Sequence, residues 1–280
     1  MHEKKLMPFL KWPGGKRWFI NKYQDYFPVN YNTYIEPFLG GGAVYFSLHP
    51  KNAILADINE ELINLYIIMR DRAEQLKDQM LYHQNNHNEE YYYRIRESNP
   101  SDPLEQASRM LYLNRACYNG MYRVNKQGMF NVPMGTKTNF VYDINRFEEY
   151  AEFLKNSRLI CSDFYNVING AKRNDLIFAD PPYAIANKCG FIKYNDKLFT
   201  WEDQRRLHRA LVDAKNRGVQ IVLTNVYCQE IMEMYKNEGF YIHVIERSSN
   251  ISGKADKRGR VKELVITSNR KRRKRKGMHE

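Results

Sequence analysis

The segment Asp180-Pro181-Pro182-Tyr183 brings together a carboxylate, a rigid backbone and a phenol ring. It follows the apolar run from Asp175 to Ala179, which is typical of a buried parallel strand. The prolines have fixed φ angles and no N–H, so Asp180 and Tyr183 stand on a stiff backbone. Open α/β sheets bind ligands at this end of their strands, and the segment is therefore a candidate site.

These groups suit the activation of an aromatic amine. The exocyclic amine of a nucleobase is a poor nucleophile because its lone pair is delocalised into the ring. The Asp180 carboxylate and the Pro181 carbonyl would accept its two N–H groups and localise the lone pair, while Tyr183 stacks on the base. On these four residues alone, a plain turn after a strand is the alternative.

A second candidate set lies near the start of the chain. A short strand over 33–38, a glycine turn over 39–43, a short helix and a strand over 52–57 have the order of a nucleoside-binding βαβ unit. The glycines would let a ligand approach the backbone, and Asp57 would accept the ribose hydroxyls. Tyr45 stands where a dinucleotide fingerprint has its third glycine, which indicates a nucleoside other than NAD. Upstream, Lys16 follows two glycines in a loop that suits an anionic ligand.

The middle of the chain lacks this strand and helix alternation. From Glu60 the apolar residues recur at helical spacing, the segment 84–102 turns polar, and 104–117 is again helical. This predicts an inserted, mainly helical module. It closes with a β-hairpin over 124–133, around which Asn119, Arg123 and Lys126 would suit adenine, guanine and phosphate. An exposed polar hairpin is the alternative.

The rest of the chain returns to the sheet pattern. Strands are predicted over 158–161, 219–225, 240–248 and 261–267, with helices over 201–217 and 227–238. The acid Asp163 follows the first of these strands and could meet an adenine amine. The last two strands would form a hairpin that gives the parallel sheet an antiparallel edge.

Composition limits the class of protein. The 280 residues are 43% apolar and 27% charged, as in a soluble globular protein, with neither a membrane span nor a signal peptide, so we expect a cytoplasmic protein. Four separated cysteines indicate neither zinc nor a disulfide framework, and we read His83 and His87 as part of a solvated polar segment. A net charge of +12 and 14% aromatic residues favour a nucleic-acid partner.

Taken together and in order, the motifs resemble those of the Dam-type DNA adenine-N6 methyltransferases, the D12 class, group alpha. They are Lys-Trp-Pro-Gly-Gly-Lys at 11–16, Glu-Pro-Phe-Leu-Gly-Gly-Gly at 36–42, Asp57, Tyr-Asn-Gly-Met-Tyr-Arg at 118–123, Phe-Asn-Val-Pro at 130–133 and Asp-Pro-Pro-Tyr at 180–183. The resemblance runs from Pro8 to about Ser268. It implies an α/β fold with a Rossmann-like S-adenosylmethionine-dependent methyltransferase sheet and an inserted DNA-recognition domain.

The resemblance also implies roles for individual residues. Those at the family's S-adenosylmethionine positions are Trp12, Lys16, Phe38, Gly40, Gly42, Asp57, Asp163, Phe164 and Asp180. The catalytic positions, where an adenine flipped out of the duplex is held and stacked, are Asp180, Pro181 and Tyr183. The DNA-recognition residues are Asn119, Met121, Arg123 and Pro133, which match members that act on GATC, together with Lys126. We expect no metal.

The predicted domains follow from this assignment. Residues 1–57 and 155–268 form the catalytic domain, 58–154 the target-recognition domain, and 269–280 a disordered tail with seven consecutive basic residues, to which we carry no role. Double-stranded DNA is the expected partner, and pairing with a restriction endonuclease stays open. The rivals are an RNA or cytosine-N4 amino-methyltransferase and a non-catalytic DNA-binding regulator. Asp rather than Ser or Asn at 180 favours DNA adenine.

Overall fold

The computed structural model describes residues 6–125, 127–140, 143–183, 199–248 and 260–270. Seven strands form one mixed sheet in the order β3-β2-β1-β4-β5-β7-β6. Their bounds are β1 Tyr34–Glu36, β2 Ala53–Asp57, β3 Ser157–Cys161, β4 Leu176–Ala179, β5 Gln220–Val226, β6 Tyr241–Ser248 and β7 Arg260–Thr267. β7 runs antiparallel to both β5 and β6, whereas β4 runs parallel to β1 and β5. The α/β sheet with an antiparallel edge hairpin is therefore confirmed.

Ten helices of regular α type flank the strands in the described part of the chain. Their bounds are α1 Arg17–Lys22, α2 Ala43–Leu48, α3 Glu60–Asp71, α4 Ala73–Asn86, α5 Glu89–Glu97, α6 Pro103–Ala116, α7 Phe147–Leu154, α8 Phe164–Asn169, α9 Trp201–Asn216 and α10 Gln229–Lys236. Side-chain caps define several starts: Asn59 accepts the Leu62 N–H, and Thr200 and Asp203 form a reciprocal capping box.

Two local expectations need correction. The polar segment 84–102 contains α5, because Asn88 caps its first turn and the burial of Tyr91 and Tyr92 stabilises it. His83 is not solvated: it is 6% exposed, with Nδ1 2.7 Å from the Tyr91 hydroxyl and Nε2 2.7 Å from the Ser108 hydroxyl. Burial lowers the pKa of His83 to about 4, which indicates a neutral core imidazole.

The predicted hairpin over 124–133 is short. Val124 and Phe130 form an isolated antiparallel bridge, and the Asn125 N–H donates to the Met129 carbonyl at 2.8 Å. The Asn125 side chain accepts the Gln127 N–H at 3.0 Å, as expected for an Asx turn. The turn is thus fixed by local hydrogen bonds rather than by a long strand ladder.

The chain divides into two compact units. Unit 1 comprises Met1–Lys22 and Leu39–Cys161, and unit 2 comprises Tyr23–Phe38 and Ser162–Glu280. This division by compactness differs from the functional domains predicted from the sequence, which stay a prediction. Candidate cofactor-binding residues occur in both units, whereas the catalytic candidates Asp180, Pro181 and Tyr183 all belong to unit 2.

Each unit has its own core. In unit 1 the rings of Phe9, Phe46 and Tyr150 pack edge to face, and the Arg115 guanidinium forms a bidentate ion pair with Asp143, with N–O distances of 2.6 and 3.0 Å. The same guanidinium donates to the backbone carbonyls of Phe9 and Phe140, which satisfies the buried charge. In unit 2 the fully buried strand β4 forms the centre of the sheet.

Candidate functional site

The catalytic candidates of unit 2 lie directly after β4. All four residues of β4 are buried, and the next residue, Asp180, is partly exposed. Pro181 is buried and Tyr183 half-buried. The Thr224 hydroxyl, from β5, donates a hydrogen bond of 2.6 Å to Asp180 Oδ1. The buried strand therefore ends in an oriented carboxylate, as the sequence predicted.

Unit 2 also contains a cluster of three phenylalanine rings. The ring of Phe38 stacks on that of Phe164 with a centroid distance of 5.2 Å, and Phe199 meets both rings at 5.9 and 5.8 Å. The guanidinium of Arg206, from α9, lies 5.1 Å from the Phe164 centroid. The ring planes are inclined to one another by 29° to 78°, and Phe164 and Phe199 are buried, so Phe38 is the half-buried ring of this apolar cluster.

Asp163 has two structural partners. It caps α8 by accepting the Tyr165 N–H at 2.9 Å, and its Oδ1 also accepts from Arg206 at 3.0 Å. Arg206 bonds Asp203 on its own helix at 2.9 Å as well. The predicted contact between Asp163 and an adenine amine stays a prediction, and the carboxylate is already oriented by these donors.

In unit 1 the glycine turn and the second strand meet at one carboxylate. Asp57 Oδ2 accepts the Gly40 N–H at 3.0 Å, and Oδ1 accepts the Asn59 N–H at 3.0 Å. Burial raises the pKa of Asp57, and these backbone donors partly oppose the shift by stabilising its charged form. Gly40 and Gly42 have φ angles of +47° and +63°, which glycine adopts without strain.

Trp12 packs against this turn. A Cβ atom added to Gly40 would lie 2.7 Å from Trp12 Cδ1, so only glycine permits the approach. The indole also stacks on Tyr122, with centroids 4.7 Å apart and planes inclined by 23°. Lys16 is 5% exposed, and its ammonium lies 3.4 Å from the Gly14 carbonyl. Backbone amides, an indole and a carboxylate are thus gathered around Gly40.

The predicted recognition residues form one loop at the end of α6. Asn119 has a left-handed backbone with φ of 57°, and it is exposed, as is Met121. The Arg123 side chain is exposed and donates to Asn131 Oδ1 at 2.9 Å. Pro133 is exposed, and its carbonyl accepts the Tyr118 N–H at 2.9 Å. Lys126 lies outside the described residues.

The recognition loop is also tied to the loop that carries Trp12. The Asn114 side chain accepts the Lys11 N–H at 3.1 Å and donates to the Lys11 carbonyl at 2.8 Å. A Cβ atom on Gly120 would collide with the Lys11 side chain. Burial raises the pKa of Tyr122 to about 12, and its hydroxyl donates to Glu61 at 3.2 Å. Within unit 1, DNA-recognition and cofactor candidates therefore share contacts.

The structure thus joins several predicted residues within each unit. Trp12 and Asp57 both contact Gly40 in unit 1, and Phe38 stacks on Phe164 in unit 2. Three further residues contact the candidate site residues but have no role predicted from the sequence, namely Thr224, Arg206 and Tyr122. Two of them have a local signal: Thr224, with Asn225, interrupts the apolar strand β5, and Tyr122 lies in the motif over 118–123, but neither pattern indicates the contact partner.

The described residues contain neither a membrane-spanning helix nor a cluster of metal-ligating side chains. None of their helices combines the length and the apolarity needed to cross a bilayer. Within the same ranges, no three His, Cys, Asp or Glu side chains cluster in a way that could hold a metal ion.

Comparison with known proteins identifies similar sequences over most of the chain. A family model described as D12 class N6 adenine-specific DNA methyltransferase matches residues 12–251. The type II methyltransferase M1.LlaDCHI of Lactococcus lactis is 36% identical, with 94% of this chain and 95% of that protein covered. M.MjaIII of Methanocaldococcus jannaschii is 34% identical over 93% and 98% of the two chains, and the DNA adenine methylase of Serratia marcescens 32% identical over 94% and 98%.

Proposed function

The chain belongs to the D12 class of N6 adenine-specific DNA methyltransferases, and on that premise we propose that it transfers the methyl group of S-adenosylmethionine to adenine at GATC sites in duplex DNA. The family makes it an enzyme that methylates adenine N6 in DNA. The donor, the target sequence and the mechanism are our proposals. One observation carries the mechanism: the buried strand β4 ends in the oriented carboxylate of Asp180.

The mechanism that we propose starts from the weakness of the nucleophile. In duplex DNA the adenine amine is conjugated with its ring and paired, so the base must leave the stack before it can react. Asp180 and the Pro181 carbonyl would accept the two N–H groups of the extruded base, which localises the lone pair and orients it. Tyr183 would stack on the purine. Holding a nucleophile in this way can lower a barrier by roughly 7–11 kcal/mol.

The residues of unit 1 fit the nucleoside part of S-adenosylmethionine. The missing Cβ atoms of Gly40 and Gly42 leave room for the Trp12 indole and the Tyr66 hydroxyl, and Asp57 offers carboxylate lone pairs to ribose hydroxyls. When bound, the cofactor supplies a methyl group on a positively charged sulfur. In unit 1 we assign its binding to Trp12, Lys16, Gly40, Gly42 and Asp57. The cofactor roles of Phe38, Asp163, Phe164 and Asp180 in unit 2 stay predictions from the family resemblance.

The recognition loop supports the choice of GATC. Arg123 presents the donor pair that suits guanine, and the Asn119 amide suits adenine. Both side chains belong to an exposed loop that follows α6, where the Asn114 side chain pairs with the Lys11 backbone. We assign DNA recognition to residues 58–154, with Met121, Lys126 and Pro133 as further contacts. The type II names of two relatives suggest pairing with a restriction endonuclease, which we include in the proposal.

The proposal is tested with the full chain, methyl-labelled S-adenosylmethionine and three duplexes. The first contains one GATC site, the second carries the same bases in scrambled order, and the third already carries N6-methyladenine in both strands of the site. Label should appear only with the first duplex, as N6-methyladenine after digestion to nucleosides. Label on cytosine would contradict the assigned base, and equal labelling of the scrambled duplex would contradict GATC.

A further inference from the structure

Thr224 places a hydroxyl at a buried position of the sheet, where a hydroxyl without a hydrogen-bond partner would destabilise the fold. Thr224 is fully buried on β5, beside the apolar Leu223 and opposite Val265 of β7. A hydroxyl removed from water without a partner costs about 1–3 kcal/mol, so its partner shows what the residue does there. That partner is Asp180 Oδ1, 2.6 Å from Thr224 Oγ1.

The register of the sheet makes this contact rigid. Ala179, the last residue of β4, pairs in parallel with Leu223 of β5. Asp180, directly after β4, is therefore adjacent to Thr224, the next residue of β5. Threonine is branched at Cβ and has few χ1 rotamers, which limits the directions its hydroxyl can take. A hydroxyl that donates to a carboxylate at this distance forms a charge-assisted bond, about twice as strong as a neutral one.

A second buried threonine on the same sheet bonds a backbone group only two residues away in the chain. Thr267 on β7 is 1% exposed, and its hydroxyl donates to the Asn269 backbone carbonyl at 2.7 Å. That bond satisfies the hydroxyl locally. The hydroxyl of Thr224 instead reaches a side chain 44 residues away, the carboxylate that we assign to the target amine.

We propose that Thr224 is a positioning residue for methyl transfer, whose hydroxyl holds the Asp180 carboxylate in the orientation that receives the adenine amine. This inference rests on the proposed function. The Thr224 hydroxyl does not touch the DNA or the cofactor in this role. It fixes one carboxylate oxygen and thereby the plane in which Asp180 accepts an N–H. Its loss should therefore lower the rate of transfer and leave substrate binding nearly unchanged.

The test compares three substitutions in the 280-residue chain. Thr224→Val removes the hydroxyl and keeps the shape, Thr224→Ser keeps the hydroxyl, and Thr267→Val removes a buried hydroxyl elsewhere on the sheet. Single-turnover transfer to a GATC duplex should fall about 10- to 100-fold in Thr224→Val, since a misoriented group costs on that order. We expect Thr224→Ser to restore most of the rate and Thr267→Val to match the wild-type protein.

The binding measurements separate positioning from a structural role. The KM values for duplex and for S-adenosylmethionine should change less than about threefold in Thr224→Val, because loss of the hydroxyl changes the orientation of Asp180 rather than its contact area. If this variant does not fold, Thr224→Cys has a similar volume and a weak thiol donor, and it should lose rate by at least about fivefold. Thermal unfolding of each variant checks folding.

Three outcomes would overturn the inference. These are equal rates for Thr224→Val and the wild-type protein, an equal loss in Thr224→Ser and Thr224→Val, or a loss confined to KM. Each leaves the proposed function intact, since wild-type transfer to adenine is measured in the same assay. Absence of wild-type transfer would instead contradict the proposed function and, with it, this role for Thr224.

Discussion

Unit 1 and unit 2 hold their candidate carboxylates by different means. In unit 1, Asp57 accepts two backbone N–H groups, and one of them belongs to Gly40, only 17 residues earlier in the chain. In unit 2, distant side chains contribute: Thr224 donates to Asp180 and Arg206 to Asp163, 44 and 43 residues away, and Asp163 also accepts the Tyr165 N–H. Backbone donors fix a loop as well as a carboxylate, whereas a side-chain donor can be removed without changing the backbone.

This difference leads to distinct expectations for substitutions. Changes in unit 2 at Asp180 should affect the rate of transfer. Changes around Gly40 should affect cofactor binding, since that turn, its indole and its carboxylate share contacts.

Asp180→Ala should lower methyl transfer by at least about 10³-fold, because the amine then loses its charged acceptor. DNA affinity should stay within about threefold of the wild-type value, since the recognition loop lies in unit 1. Single-turnover labelling and a mobility-shift titration measure the two quantities. An unchanged transfer rate would contradict the proposed mechanism. An equally large loss of DNA affinity would contradict the separate roles that we assign to the two units.

Arg123→Ala should reduce the preference for GATC over a duplex with one altered base by about 10- to 100-fold, since a bidentate contact to guanine contributes about 1–3 kcal/mol of discrimination. Arg94→Ala is the charge-matched control, because Arg94 is also exposed in unit 1 and covers the Tyr91 ring at 5.0 Å. Competition binding with matched duplexes gives the ratio. Loss of affinity that is uniform over all sequences would assign Arg123 to phosphate contacts.

Gly40→Ala should raise the KM for S-adenosylmethionine by about tenfold, because its Cβ atom would displace the Trp12 indole from the turn. Gly239→Ala is the matched control in unit 2. Its φ of +69° imposes similar backbone strain, but its Cβ atom would meet only the Lys215 ammonium at 3.5 Å. Initial-rate kinetics over a range of cofactor concentrations provide the comparison. Equal KM values for the two variants would show that strain alone, not Trp12, is responsible.

Arg206→Gln should have the smallest effect, a rise of about threefold to fivefold in the KM for S-adenosylmethionine. The ion pair with Asp163 leaves both side chains 35% exposed, so solvent screens it and its contribution is at most about 1 kcal/mol. Asp163 keeps its bond from the Tyr165 N–H, which limits the loss further. Arg209→Gln removes an exposed ion pair with Glu202 on the same helix and serves as the control.

The contrast between the units also explains what the sequence could reveal. The strand, glycine turn and acid of unit 1 are close in the chain, so local pattern predicted both Gly40 and Asp57. The end of β4 was predictable because an apolar run stops at Asp180. Thr224 was not, because its role depends on the register between β4 and β5, which local sequence does not encode.

Other expectations failed for similar reasons. The helix α5 reads as a polar segment because only Tyr91 and Tyr92 face the core, and its stability depends on the Asn88 cap and on packing. The sequence also indicates a solvated His83, because its hydrogen-bond partners, the hydroxyls of Tyr91 and Ser108, lie 8 and 25 residues away in the chain. Tyr122 could be placed in the recognition motif by its neighbours, but nothing local indicated a stack on Trp12.

The stack of Trp12 on Tyr122 makes the indole an optical sensor of the recognition loop. Indole emission responds to a neighbouring ring, and the chain contains only three tryptophans. Replacing Trp18 and Trp201 by phenylalanine would leave Trp12 as the single tryptophan, in contact with the glycine turn and with Tyr122 of the loop that carries Arg123. Stopped-flow fluorescence of that protein would follow loop movement on DNA encounter without any added dye.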